Sequence, residues 1–262
     1  MDLLRLLQQI AQNQSRIRLL NIYKGLPISY DTNILSVGAS EIQVPGSKSH
    51  IACLYYQGES YVQGDELPFI IRSKVKALNL AQDYAVLSGF EVIQNNIGKR
   101  SQIRVEPDEL LAASIQFKGS AYDFMAPIVD ISTNGASVFF ESYAFPARLA
   151  LPGNDLTMTI TIPDFVSRKI KKNTQRLVSE NRRTSPLMSN LLAGQDGQIV
   201  ISASGKVISV RLETDQRRYR MRSQLFFKDL SRMVIVQYIS HRQTEIIKDL
   251  RVLAEDLYNR KR

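Results

Sequence analysis

The sequence predicts a mostly β chain in two strand-rich regions, with a helix at each end. Three observations carry that reading. Short apolar or alternating runs recur between turn-forming residues, first over about 26–93 and again over about 104–227. Apolar residues at helical spacing are confined to the two ends. Asn95-Asn96-Ile97-Gly98 reads as a linker between the regions.

Each element follows in turn. Leu3, Leu6, Leu7 and Ile10 fall at i, i+3, i+4 and i+7, which predicts a helix over 3–20. In the first strand-rich region the runs are Ile34–Val37, His50–Tyr56, Phe69–Ile71 and Tyr84–Leu87. Pro45-Gly46-Ser47, Gln57-Gly58 and Gln63-Gly64-Asp65 punctuate them. Strands this short and this closely spaced predict a small all-β barrel or sandwich.

The second region offers Ile115–Phe117, Pro127–Val129, Ser137–Phe140, Leu156–Ile162, Val207–Leu212 and Tyr219–Phe227 as strands. Thr157, Thr159 and Thr161 alternate with Leu156, Met158, Ile160 and Ile162, the period of two that buries one face. The tail over 231–258 predicts a helix, because Ile239, Ile246, Leu250, Leu253 and Leu257 keep a 4/3 spacing. That stripe suits either a lid on a barrel end or a short coiled coil.

The chain has 262 residues, enough for two modest domains, and a formal net charge of +9. Such a balance favours anionic partners. Between Phe165 and Asn190 seven basic residues, among them Arg168, Lys169, Lys171 and Lys172, face a single acid, Glu180. The plain reading of that stretch is a solvated basic loop. Cys53 is the only cysteine, so neither an intramolecular disulfide nor a cysteine-based zinc site is available, and the cytosol is the expected compartment. The opening residues read as neither a signal peptide nor a membrane span.

Two short motifs carry chemistry. In Lys99-Arg100-Ser101-Gln102-Ile103-Arg104, two arginines flank three residues just ahead of a strand. Asp130-Ile131-Ser132-Thr133-Asn134-Gly135 follows another strand. A guanidinium presents a planar fork of donors that matches phosphate and the Hoogsteen edge of guanine. A carboxylate accepts from ring N–H and amino groups, and a hydroxyl adds a donor or acceptor. A glycine lets a flat ligand approach the backbone. Taken singly, each motif has an ordinary explanation: a solvated arginine pair, or an Asx-turn between strands.

Taken together and in this order, Arg100 and Arg104, then Asp130, Ser132 and Gly135, resemble the PilZ-domain signature. That signature is RxxxR in a linker followed by [D/N]xSxxG on a β-barrel that binds cyclic di-GMP. The resemblance covers roughly residues 98–245. The region ahead of RxxxR is similar to the YcgR-like flagellar-brake architecture, in which two β-barrels straddle the ligand. Two features depart from the pattern. Met221-Arg222-Ser223-Gln224 stands where the family usually has a glycine, and the stretch 165–197 is long for such a barrel.

The resemblance implies two β-barrel domains, an N-terminal split-barrel-like one and a C-terminal six-stranded PilZ barrel, with N- and C-terminal helices. The implied boundaries are 1–95 for the first domain with its leading helix and 96–106 for the linker. The PilZ barrel follows over 107–230, with a basic insertion at about 165–197, and the tail helix over 231–262. It implies cyclic di-GMP as the ligand, held by Arg100 and Arg104 with help from Lys99. Asp130 and Ser132 would meet guanine edges, and Gly135 would clear space. No cofactor or metal is expected. The implied partner is a protein, such as flagellar motor or secretion and polysaccharide machinery, in the control of motility, biofilm or exopolysaccharide. The implied location is the cytoplasm, with docking at a membrane-associated complex, and nucleic acid is not an expected partner.

Other classes fare worse. His50 and His241 are the only histidines, and neither has a nucleophile placed beside it in sequence. Gly46-Ser47-Lys48-Ser49 lacks the spacing of a phosphate-binding loop. The alternatives to a nucleotide receptor are an adaptor for nucleic acid or anionic surfaces led by the basic segment, and a PilZ interaction scaffold that needs no ligand.

Overall fold

The computed structural model describes residues 3–93, 102–108, 111–162, 168, 199–213 and 217–260. Nearly all of the basic stretch at 165–197 lies outside these residues. The chain divides into two units, Met1–Ser101 with Thr244–Arg262, and Gln102–Gln243. Among the described residues no helix is long and apolar enough to cross a membrane.

In the first unit, α1 (Leu3–Gln12) buries Leu7 and Ile10, as its spacing predicts. It stops well short of residue 20. Gln14 takes a left-handed conformation (φ 53°), and the amides of Gln14 and Ser15 turn back to the carbonyls of Ala11 and Ile10. That paired capping arrangement ends a helix without needing glycine. The chain then enters β1 (Ile17–Tyr23) and reverses through Lys24-Gly25, both at positive φ, into β2 (Leu26–Thr32). Two left-handed residues match the twist of a tight hairpin.

The strands β3 (Ser36–Val37), β4 (Glu41–Pro45), β5 (Glu59–Gly64), β6 (Ile70–Asn79) and β7 (Tyr84–Ile93) complete an antiparallel sheet of seven. Its order is β2-β1-β5-β6-β7-β4-β3, with β2 and β3 at the edges. Leu7, Ile10, Ile17, Leu19, Ile51, Leu54, Val62, Ile71 and Leu87 form its core.

One predicted strand is a helix. α2 (Lys48–Gln57) occupies the run His50–Tyr56. Ser47 caps its start by accepting from the His50 amide, and Gly58 (φ 68°) ends it by donating to the Leu54 carbonyl. His50, Ile51, Ala52, Cys53 and Leu54 are all buried, so the apolar run has no helical period to betray it. Burial pushes the Cys53 thiol up to about 12.

The second unit is a closed antiparallel barrel. It is built from β8 (Ala112–Phe117), β9 (Asp123–Ser132), β10 (Gly135–Glu141), β11 (Asp155–Ile162), β12 (Ile199–Glu213) and β13 (Arg218–Phe227). The strands close in the order β10-β13-β12-β11-β8-β9. Leu156, Met158, Ile160 and Ile162 point inward from β11, as the alternation with threonine predicts. Ile115, Phe117, Val138, Ile201, Met221 and Leu225 fill the rest of the interior.

α3 (Asp229–Asn259) ends the described chain, its first half counted with the barrel and its second half with the first unit. Within the barrel unit, the nearly buried Arg242 donates from Nε to the Glu106 carbonyl at 2.8 Å and from Nη2 to Asp108 at 3.0 Å. Within the first unit, Ile246, Leu250 and Leu257 are buried, Lys24 pairs with Asp249 at 2.8 Å, and the Tyr258 hydroxyl meets Asp83. The apolar stripe of the tail is therefore covered within one chain.

His50 is 1% exposed, tilted against the Tyr30 ring, and neither of its ring nitrogens has a hydrogen-bond partner. Burial lowers its pKa to about 4. A depressed histidine pKa means the unfolded chain binds the proton first, so the folded state loses stability as pH falls from about 6.5 toward 4. We expect this one group to remove up to about 3 kcal/mol across that window. Urea unfolding of wild type and His50→Leu at a series of pH values measures it. The difference between the two curves should grow in favour of the variant below pH 6.5, and a constant difference would refute the assignment.

Candidate functional site

The two sequence motifs meet on the outside of the barrel. After residue 104 the linker is clipped to the end of β9: the Val105 and Ile131 amides and carbonyls exchange two hydrogen bonds of 3.0 Å. Val105 is completely buried, and the Thr133 hydroxyl donates to the Gln102 side chain at 2.5 Å. Arg104 is therefore held from both sides while its side chain stays about a third exposed.

Asp130 reaches the same place through a bulge. Ile131 lies opposite Ala136 and Asp130 opposite Ser137, but Val138 faces Ile128, so β9 carries one extra residue. The inward positions on β9 thus pass from Ile128 to Ile131, and Asp130 turns outward instead of into the core. Its carboxylate is shared. Arg104 Nη1 donates to Oδ1 at 3.1 Å, and Arg220 Nη2 donates to Oδ2 at 2.6 Å. The three side chains are 31%, 26% and 10% exposed for Arg104, Arg220 and Asp130, so both pairs are partly shielded from water.

Ser132 and Gly135 shape the turn that follows. The Ser132 hydroxyl is buried and donates to the Asn134 side chain at 3.2 Å and the Gly135 carbonyl at 3.1 Å. Its donor is therefore engaged inside the Ser132–Gly135 turn. The Asn134 carbonyl accepts from the Leu225 amide on β13 at 2.9 Å. Gly135 faces β13 so closely that a Cβ there would lie 2.7 Å from the Ser223 carbonyl oxygen. The turn and β13 are locked together at the edge of the site.

Lys99 and Arg100 lie outside the described residues. Of the expected ligand-binding residues, the structure gathers Arg104, Asp130, Ser132 and Gly135 on one end of β9 and β10.

Sequence reasoning missed the residues of β13 and β12. Arg222 is paired in register with Ser137, Arg220 with Phe139, and Arg211 on β12 with Arg220. Met221, Ser223 and Leu225 are buried, so Arg220 and Arg222 project outward between them. The Arg220 guanidinium lies 5.7 Å from the Phe139 ring. The pKa of Arg222 is lowered by burial first, then by the charges of Arg220, Arg211 and Arg104, against the opposing pull of Asp130. Ser137 Oγ and Arg220 Nε are buried without hydrogen-bond partners. The available signal was the alternation of β13, which places every arginine from 218 to 222 on one face.

The resulting surface is a cationic patch around one carboxylate, with planar donor forks and a tight turn beside it. Such a surface recognises phosphate and purine edges. Among the described residues no group of three His, Cys, Asp or Glu side chains could hold a metal ion.

No protein-family model matches the sequence, and no curated protein matches it. Several solved structures align with it at low identity. The Bacillus subtilis inhibitor of motility (MotI/DgrA) aligns over 88% of this chain and 97% of its own, at 14% identity and a TM-score of 0.39. The K. pneumonia MrkH–c-di-GMP complex aligns over 97% and 95%, at 11% identity and a TM-score of 0.34. Escherichia coli YcgR in complex with c-di-GMP aligns over 94% and 91%, at 11% identity and a TM-score of 0.34.

The close approach of β10 to β13 is testable. Gly135→Ala must force the two strands apart or displace the Ser223 carbonyl. We expect a loss of about 1–3 kcal/mol, the usual cost of overpacking, read as a lower urea midpoint. An unchanged midpoint would show that β10 relaxes freely.

Proposed function

We propose that the chain is a cyclic di-GMP receptor of the PilZ kind, which passes ligand binding on to a protein partner. The observation that carries this reading is the 3.1 Å contact between Arg104 and Asp130. It brings the linker arginine and the first residue of the DxSxxG motif together across 26 residues of chain. Ordinary solvated arginines and an ordinary turn have no reason to meet.

The parts act as follows. Arg104 uses one of its five donors on Asp130, which orients the guanidinium and leaves the remainder for a phosphodiester or a guanine Hoogsteen edge. Arg100 and Lys99 add donors from the preceding linker. Asp130 keeps its bonds to Arg220 and Arg104 and has acceptor sites left on the same two oxygens for a guanine N–H. Ser132 acts through the turn that it holds, and Gly135 keeps that turn flat against β13. Each charge-assisted hydrogen bond contributes about 1.5–3 kcal/mol. A few of them suffice for the roughly −8 kcal/mol of a micromolar complex.

Binding engages the linker arginines and selects one arrangement of the chain, and a partner reads that arrangement. The processes that fit are motility, biofilm formation or exopolysaccharide control. Because the neighbouring Val105 makes the backbone bridge, the Arg104 side chain can be removed without unclipping the linker.

Calorimetric titration with cyclic di-GMP, with GMP and GTP as controls, tests the proposal. Wild type should bind the cyclic dinucleotide in preference to both controls. Arg104→Ala and Arg100→Ala should each weaken binding at least tenfold, with unfolding midpoints close to wild type. Unchanged affinity in both variants would remove the assignment.

A further inference from the structure

The cationic surface does not stop at the motif residues. It continues from β9 across β10 and β13 to β12. One row reads Asp130, Ser137, Arg222 and Ser209, each in register with the next. A neighbouring row reads Phe139, Arg220 and Arg211. Cross-strand partners share a face and sit about 5 Å apart, so Arg211, Arg220 and Arg222 crowd one patch.

Their partners are unequal. Arg220 holds Asp130, and its Nε is buried with no acceptor. Among the described residues, Arg222 and Arg211 have neither a hydrogen bond nor an ion pair. Ser137, with no exposed surface at all, stands between Asp130 and Arg222 and its hydroxyl is unpartnered. Two guanidiniums, Arg104 and Arg220, thus share one carboxylate, and Arg222 and Arg211 extend the positive charge away from it. A buried polar group left unpaired is costly, and so is a crowd of like charges. An anion resting on this patch relieves both.

We propose that Arg222, Arg211 and the Ser137 hydroxyl form a second anion subsite, beside the Arg104–Asp130 site, that takes the phosphodiester farther from Arg104. The identity of that anion rests on the cyclic dinucleotide reading; the existence of the subsite rests only on the side-chain arrangement. A cyclic dinucleotide carries two phosphodiesters on opposite sides of one ring. The motif arginines meet one of them. The subsite, two to three strands away and about 10–15 Å across the sheet, meets the other. Arg220, fixed by Asp130 and by the Phe139 ring, is the post between the two.

Two measurements on the full chain test this. In the first, inorganic pyrophosphate is titrated into wild type and the arginine Nε–Hε resonances are followed. Arg222 and Arg211 should shift in a saturable way, with the shifts lost in Arg222→Gln/Arg211→Gln. In the second, cyclic di-GMP is titrated calorimetrically into Arg222→Gln, Arg211→Gln and the double variant, each checked for a wild-type melting curve. Each single change should weaken binding at least fivefold and the pair at least twentyfold.

The failures are distinguishable. Saturable pyrophosphate shifts in a chain that ignores cyclic di-GMP would keep the subsite and overturn the proposed function. Tight, Arg104-dependent cyclic di-GMP binding that neither glutamine variant alters would keep the function and overturn the subsite. Should the variants not fold, the pyrophosphate shifts of wild type decide alone, and their absence sinks the proposal.

Discussion

One carboxylate organises the outer face of the barrel. Among the described residues Asp130 is the acid that Arg104 and Arg220 share, at 3.1 and 2.6 Å. At an effective dielectric constant of about 20, unit charges this close attract by roughly 5–6 kcal/mol before the cost of desolvating them, which offsets most of the gain. Without the carboxylate the guanidiniums would repel one another with no opposite charge between them. The arrangement is therefore a compromise. It tolerates a concentration of positive charge by placing a negative charge within it, and among the described residues it leaves two arginines and a hydroxyl unsatisfied.

Backbone geometry puts that carboxylate where it is. A strand without a bulge would have sent residue 130 toward Met158 and Val138 in the interior, where an ionised side chain is not viable. The extra residue in β9 reverses the parity and faces Asp130 outward. The bridge between Val105 and Ile131 then brings the linker alongside the part of β9 that lies beyond the first residue of β8. Gly135 allows β10 to lie against β13 closely enough for Arg220 to reach across. Three local backbone devices thus converge on one electrostatic node.

How much of this was legible depended on the range of the interaction. The barrel strands declared themselves by alternation, as in Leu156–Ile162, because burial on one face leaves a period of two. The run His50–Tyr56 misled, since a helix buried on all sides shows no period; the informative residues were Ser47 and Gly58, its two caps. The early end of α1 was hidden because Gln14, not glycine, adopts the left-handed turn. In the site, Arg104 and Asp130 were found through motif spacing. Arg220, Arg222 and Ser137 were not, because their meaning lies in strand register between segments about 85 residues apart, which no local pattern records.

The tail helix has a consequence for biogenesis. The first unit takes residues from both ends of the chain, Met1–Ser101 and Thr244–Arg262. Ile246, Leu250 and Leu257, which it buries, follow the barrel in the chain and are synthesised after it. During translation every strand of the later unit therefore leaves the ribosome before the earlier one can be finished. A fragment cut at the linker would be an unfinished body with an uncovered apolar seam, so the shortest native folding unit for the first sheet includes the barrel that interrupts it.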